Sequence, residues 1–272
     1  MTAPFVATFP KAFDSTLPVM RLARAENDAG TNLALTLPDG RRASVFSNVR
    51  LMNSPKLGKQ FKLLDGLLAS STATLIERNE AGYHGAALGV EKQTFVAKIV
   101  PVFRETISQT RTARAEHAAR LTRTLDWNRA AEPNPVARGD LRRWLLRHSV
   151  AERIGLLMRA DYAVVVSALE IGQVVVGLDN AQWEAFLNHA RAVIYIHKAG
   201  TAADFTLKPS EENISASGID HVAAYKNAHN MLDQMREDGD LLETAEHYLQ
   251  AVAKFIALLG DVKAETIIGI DK

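Results

Sequence analysis

The chain has no cysteine among its 272 residues. It can therefore form no disulfide, carry no thiolate nucleophile and build no cysteine-ligated metal site. It also has almost no net charge, +1 at pH 7 with neutral histidine. Bulk charge this close to zero predicts neither a nucleic-acid-binding protein nor an acidic one. The absence of cysteine is compatible with the cytoplasm, which is the compartment that we predict.

Long apolar runs are also missing. The most apolar stretch covers residues 162–178, and Glu170 lies near its centre. This stretch is shorter than the ~20 apolar residues that a membrane-spanning helix needs. We therefore predict a buried core segment and no membrane span. The N-terminal sequence MTAPFVATFPKAF lacks a basic region followed by an apolar run, so no signal peptide is expected.

Sequence motifs of catalysis are absent as well. The chain contains no glycine-rich dinucleotide loop, no Walker loop, no H-E-x-x-H metal motif and no G-x-S-x-G or S-x-x-K nucleophile motif. We therefore expect a non-enzymatic protein without a cofactor or a bound metal ion, and we assign no catalytic residue.

The histidines leave one enzymatic alternative open. His221 and His229 are eight positions apart on a predicted helix, which is too far to share one ion, since eight residues span ~12 Å. His229 and Asp233 are four apart and can face the same side, with His247 as a third partner across a helical hairpin. An enzyme with an unrecognised site near His221 and His229 is the third functional hypothesis, and it requires a pocket that joins these groups.

The clearest β-sheet signal lies near the N-terminus. Leucines alternate with smaller residues from 33 to 37, a Pro-Asp-Gly turn follows at 38–40, and a strand-like pattern resumes at 43–46. Alternation on both sides of a turn predicts a β-hairpin. Residues 1–30 contain three prolines that break any helix, and we predict an extended arm there.

Helical periodicity dominates the rest of the chain. A long central helix is predicted over 101–131, beginning at Pro101, where the missing backbone amide has no cost. Large apolar residues lie at both ends of this helix, but between 108 and 120 none is larger than alanine. A helix that is apolar only at its ends is typical of a connector.

The C-terminal region is predicted to form a helical hairpin of helices 219–237 and 241–259, with a turn at Gly239 and Asp240 as a cap. The predicted fold class is therefore mainly α with a small N-terminal β element, the β-hairpin, together with the long central helix and this C-terminal helical hairpin.

A linker is predicted at 132–139, where two prolines and a glycine occur in the sequence EPNPVARG. It would divide the chain into residues 1–131, with the arm, hairpin and long helix, and a C-terminal helical domain at 140–272. Helix starts within the second domain are predicted from a cap at Asp140, a capping box at Ser149 and a cap at Asp179.

One segment is rich in arginine. Between 104 and 147 there are ten arginines, five acidic residues and no lysine, a net charge of +5 that leaves −4 for the remainder of the chain. Guanidinium groups bind phosphate or carboxylate in a bidentate manner and stack on aromatic rings. Local ion pairs on a solvated helix are the alternative explanation. The candidate residues for binding nucleic acid or a protein partner are Arg111, Arg114, Arg120, Arg123, Arg142, Arg143, Trp127 and Trp144.

These patterns predict a non-enzymatic interaction or assembly protein of a bacterial or phage complex that associates with itself or with another protein. The prediction depends on two ends that cannot fold alone, the N-terminal arm and an isoleucine-rich tail at 267–270, because such ends often dock on neighbouring subunits. The tail is expected to pair as a strand or to dock on a neighbour. Nucleic-acid binding through the segment 104–147 is the alternative function.

Overall fold

The computed structural model of the chain describes residues 19–126 and 135–269. Two compact units are formed: unit 1 comprises Met1–Arg114 with Asp240–Lys272, and unit 2 comprises Ala115–Gly239. Of the predicted linker, residues 132–134 lie outside the described residues and 135–139 are helical. The division of the chain at 132–139 therefore stays a prediction.

Helices make up most of the described chain, which confirms a mainly α fold with a small N-terminal β element. The strands are β1 (Arg21–Asn27), β2 (Gly30–Thr36) and β3 (Arg42–Asn48). The helices are α1 (Val49–Met52), α2 (Gly58–Glu80), α3 (Gly85–Leu125), α4 (Pro135–Leu146), α5 (Val150–Leu157), α6 (Tyr162–Val176), α7 (Asn180–Ala199), α8 (His221–Gly260) and α9 (Ala264–Ile268), with a short 3-10 helix at Thr201–Asp204.

The three strands form one antiparallel sheet in the order β1-β2-β3. The predicted hairpin is confirmed as β2 and β3, which pair from Gly30 opposite Asn48 to Thr36 opposite Arg42. Strand β1 lies within the region predicted as an extended arm, of which residues 1–18 are outside the described residues. All of β1 except Leu22 is exposed, so the alternation that reveals a half-buried strand is absent from it.

Unit 1 has one apolar core beneath the sheet. The inward residues of the strands, such as Leu35 and Val45, pack with side chains from α2, α3 and α8, including the fully buried Phe61, Phe103 and Phe255. Burial of aromatic side chains of this size is the largest favourable contribution to folding of such a unit.

The long central helix is confirmed as α3, but it begins at Gly85 rather than at Pro101, which lies inside it. Phe95, Ile99 and Phe103 recur every four residues and are all buried on one face. That packing outweighs the backbone hydrogen bond that the internal proline removes. The predicted end of the helix, at 127–131, lies outside the described residues.

The predicted C-terminal hairpin is wrong, because α8 continues through Gly239 as one helix of 40 residues. Met235 is buried in the core of unit 2 and Leu242 in the core of unit 1. Packing of these apolar positions outweighs the ~1 kcal/mol that glycine costs inside a helix. A Cβ atom at Gly239 would lie 3.3 Å from Nε2 of His117, so a residue without a side chain fits this close approach.

Unit 2 consists of shorter helices with defined caps. The predicted capping box between Ser149 and Glu152 is confirmed, as is the cap at Asp179. Asp140 does not cap a helix, because α4 begins five positions earlier, at Pro135. The apolar stretch predicted as a buried segment forms α6, whose first two turns are buried among α4, α5 and α7.

The described part of the isoleucine-rich tail is helical and packs against the core of unit 1, so it does not pair as a strand. Residues 264–268 form α9, and Ile267 is buried in the core of unit 1. Arg104 of α3 donates hydrogen bonds to the carbonyls of Ile267, at 3.1 Å, and of Thr266, at 2.6 Å. Ile270 lies outside the described residues. In the described part of the chain, no helix is both long and apolar enough to cross a membrane.

Candidate functional site

Two of the predicted binding residues lie on α3 in unit 1. Arg114 forms an ion pair with Glu246 of α8. Arg111 is exposed and lines a mostly apolar cavity of about 190 Å³, together with Phe103 and Ile107. The charge of Arg114 is thus balanced by an acid of the same chain.

Four predicted arginines lie in unit 2. Arg120 pairs with Asp238 at 2.6 Å and Arg143 with Asp140 at 2.5 Å. Arg142 binds Glu170 at 3.0 Å, and Arg138 binds the same carboxylate at 2.9 Å. The exposed Arg123 donates to the carbonyl of residue 119 in its own helix, at 3.3 Å. Three of the four therefore contact a carboxylate of the same unit.

The structure describes one of the two predicted tryptophans. Trp144 is exposed and packs edge-on against His148, with ring centroids 5.0 Å apart. Trp127 lies outside the described residues. Four of the six candidate arginines contact a carboxylate, namely Arg114, Arg120, Arg142 and Arg143.

A different set of basic side chains lines a cavity of about 490 Å³ in unit 1, between β3 and the second half of α8. We call it the edge groove, because β3 is an outer strand of the described sheet. Its polar walls carry the exposed Arg42, His247 and Lys254, and no acidic residue lies among the described residues that line it. The lining residues are Arg42, Ala43, Ser44, His247, Gln250, Ala251, Lys254 and Leu258.

A buried polar network fixes the two walls of the edge groove. Ser47 of β3 donates its hydroxyl hydrogen to Asp65 of α2, and Tyr248 of α8 donates to the same carboxylate oxygen at 3.1 Å. Both hydroxyl residues are buried. Burial raises the pKa of Tyr248 well above its ordinary value, and the adjacent Asp65 charge raises it further. One carboxylate thus joins the strand wall and the helix wall.

The raised pKa of Tyr248 gives a prediction about alkaline stability. Because the folded state holds this proton more tightly than the unfolded state, the stabilisation is complete below pH ~10 and is lost as pH rises through the folded pKa. The free energy of unfolding, measured with urea at pH 8 and again above pH 10, is expected to fall more between these two conditions in the native chain than in Tyr248→Phe. Equal losses in both proteins would contradict it. Tyr225, whose pKa is also raised by burial, is common to both.

A second cavity, of about 440 Å³, lies within unit 2, and we call it the histidine pocket. It joins His229 and Asp233, as the enzymatic hypothesis requires, but His221 does not line it. His247, which a hairpin would have placed opposite His229, lies further along the same continuous helix and lines the edge groove. The polar lining residues are His117, Asn188, Arg191, His229, Asp233 and Arg236, and the apolar ones are Leu121, Leu125, Leu232 and Met235.

The His229 ring of this pocket packs against an aromatic side chain, Tyr225. Tyr225 packs edge-on against His229, with ring centroids 4.6 Å apart, and its hydroxyl lies 3.0 Å from Nδ1 of the buried His189. Nε2 of His189 lies 3.2 Å from the carbonyl of Ala160. A carbonyl only accepts, so Nε2 of His189 donates this hydrogen bond. In the tautomer with its single proton on Nε2, Nδ1 accepts from the Tyr225 hydroxyl. No described group of three or more His, Asp or Glu residues can hold a metal ion.

Comparison of the chain with protein-family models, with curated proteins and with solved structures finds no match. Sequence analysis missed both cavities. Arg42 and Lys254 carry no local signal, because isolated cations are common on any surface. His229 with Asp233 was the one pair that spacing identified.

Proposed function

We propose that this chain is a non-enzymatic interaction protein, and that its edge groove binds an extended, acidic segment of a partner protein. The observation that carries the proposal is the composition of the groove. Two cationic side chains, Arg42 and Lys254, and the imidazole of His247 line a cavity of about 490 Å³ that has no acidic residue among its described lining residues.

The strand wall of the groove favours a partner segment in an extended conformation. β3 pairs with β2 on one side only in the described sheet, so its other side presents backbone amides and carbonyls. An added strand can satisfy those groups by hydrogen bonds, which give affinity without specifying sequence. The adjacent α8 supplies a second wall against which side chains of the added segment can pack.

The charges of the groove support an acidic partner. Arg42 projects from the strand, whereas His247 and Lys254 lie seven positions apart on α8. Carboxylates on an added strand can pair with cations on both walls. The groove is also lined by three apolar residues, Ala43, Ala251 and Leu258. A segment that alternates acidic and small residues fits this pattern best.

Nucleic-acid binding by the arginine-rich segment was the alternative prediction. The contacts of Arg114, Arg120 and Arg142 favour the interaction hypothesis, since each pairs with a carboxylate of its own unit. A phosphate would have to displace that carboxylate. Self-association and a bacterial or phage setting stay predictions from the sequence.

The proposal is tested by titrating the ¹⁵N-labelled full chain with a short capped peptide of alternating glutamate and threonine. Backbone chemical shifts are expected to change along β3 and at 247–258. Arg42→Glu and Lys254→Glu are expected to lower the affinity at least about tenfold. Lys98→Glu, an exposed reversal of charge on α3, is the matched control and is expected to have no effect.

Three results would overturn the proposal. The first is equal binding of the matching lysine–threonine peptide. The second is a groove occupied by a second copy of the chain, detected by light scattering as a dimer that Arg42→Glu dissociates. The third is salt-sensitive retention of a DNA or RNA oligonucleotide that blocks the peptide, which would assign the groove to nucleic acid.

A further inference from the structure

We propose that the histidine pocket of unit 2 binds a small organic anion, namely a monocarboxylate with an apolar body. This site is separate from the edge groove, and the inference does not depend on the proposed function. Its volume of about 440 Å³ falls within the roughly 300–1,000 Å³ typical of small-molecule sites.

Four of the residues that line the pocket are apolar. Leu121 and Leu125 come from α3, and Leu232 and Met235 come from α8. Met235 is buried, and the three leucines are partly exposed to the cavity. Apolar surface of this kind gains free energy when a hydrocarbon or aromatic group displaces water from it.

The pocket is also lined by two cationic side chains, one from each of two helices. Arg191 projects from α7, where its guanidinium donates to Asn188 at 3.0 Å, and Arg236 projects from α8. A guanidinium matches the planar, two-oxygen geometry of a carboxylate. The hydrogen bond to Asn188 uses only one of the five N–H donors of the Arg191 guanidinium, so others remain for a ligand.

A single negative charge suits the pocket better than a double one. Asp233 lines the pocket together with Arg191 and Arg236, so the charged groups of the pocket sum to +1 when both histidines are neutral. A monocarboxylate balances that charge, whereas a phosphate dianion would be repelled by Asp233.

Two histidines add hydrogen-bonding capacity that the fold does not use fully. Nδ1 of His117 is shielded from solvent and has no hydrogen-bond partner among the described residues. Buried polar atoms without a partner are rare in folded proteins. The ring of His229 packs against Tyr225, a contact that favours one orientation of the imidazole.

The test uses three probes of matched shape: 3-phenylpropionate, 3-phenylpropanol and 3-phenylpropylamine. Each is titrated into the ¹⁵N-labelled full chain. The carboxylate is expected to shift amides at 117–125, 188–191 and 229–239, and to bind at least about tenfold more tightly than the alcohol or the amine.

Arg191→Gln with Arg236→Gln is expected to reduce carboxylate affinity at least about tenfold, to the level of the alcohol. Arg147→Gln, an exposed arginine of unit 2 outside the pocket, is the matched control. Circular dichroism melting of each variant separates a lost site from a lost fold. Equal affinity for the three probes, shifts outside the pocket, or carboxylate binding unchanged in a folded double variant would each overturn the proposal.

Discussion

Asp65→Ala is expected to lower the free energy of unfolding by about 2–6 kcal/mol, because it removes the acceptor of two buried hydroxyl groups, at about 1–3 kcal/mol each. Ser47 is 6% exposed and Tyr248 is 3% exposed, so water cannot replace the lost acceptor readily. Urea unfolding at pH 7 measures the change. The same variant is expected to weaken binding of the acidic peptide, because Asp65 joins the strand and helix walls of the edge groove.

Two further variants separate the hydrogen bonds from general effects of mutation. Asp65→Asn keeps an acceptor oxygen and is expected to be less destabilised than Asp65→Ala. Glu77→Ala removes an exposed acid from the same helix, α2, and is expected to change stability by less than about 0.5 kcal/mol. A loss in Asp65→Ala no larger than that in Glu77→Ala would show that the network does not stabilise the unit.

The sequence predicted those elements whose signal is local. The hairpin of β2 and β3 follows from alternation around a Pro-Asp-Gly turn, and the cap at Ser149 follows from Glu152 three positions later. Each of these signals involves residues that are neighbours in the chain. Strand β1 was missed because its partner β2 supplies the pairing, while its own side chains are almost all exposed.

The predicted helix bounds were wrong where tertiary packing outweighs the local conformational preference of a residue. Pro101 and Gly239 are both breakers by local rules, yet α3 and α8 run through them. Buried residues on either side stabilise the continuous helix, such as Ile99 and Phe103 on either side of Pro101. A single sequence gives no direct measure of that burial, so a helix start and a hairpin turn were both misplaced.

The cavities could not be predicted because their residues are distant in the chain. The edge groove combines 42–44 with 247–258, and the acidic partners of Arg114 and Arg120 lie 132 and 118 positions away. Sequence analysis identified the excess of arginine correctly but could not identify the carboxylates that balance it. Glu246 and Asp238 are ordinary helix-surface acids until the fold places them beside α3.

Glu170→Ala is expected to destabilise the chain by about 3–4 kcal/mol, the lower part of the range for breaking a buried ion pair. The Glu170 side chain is 18% exposed and binds two guanidiniums, those of Arg138 at 16% exposure and Arg142 at 32%. Removing the carboxylate leaves two partly buried cations facing each other between α4 and α6. Thermal and urea unfolding measure the loss, with Glu184→Ala on the exposed face of α7 as the matched control.

Two further variants distinguish a structural role of Arg142 from a binding role. If Glu170 holds the guanidinium of Arg142 in the native protein, Arg142→Gln is expected to reduce stability and to leave any retention on nucleic acid unchanged. Glu170→Gln, which keeps the side-chain shape but removes the charge, is expected to release both guanidiniums and to increase retention at low salt. A stable Arg142→Gln protein that has lost nucleic-acid retention would reverse this assignment, because the arginine would then act on a partner rather than on Glu170.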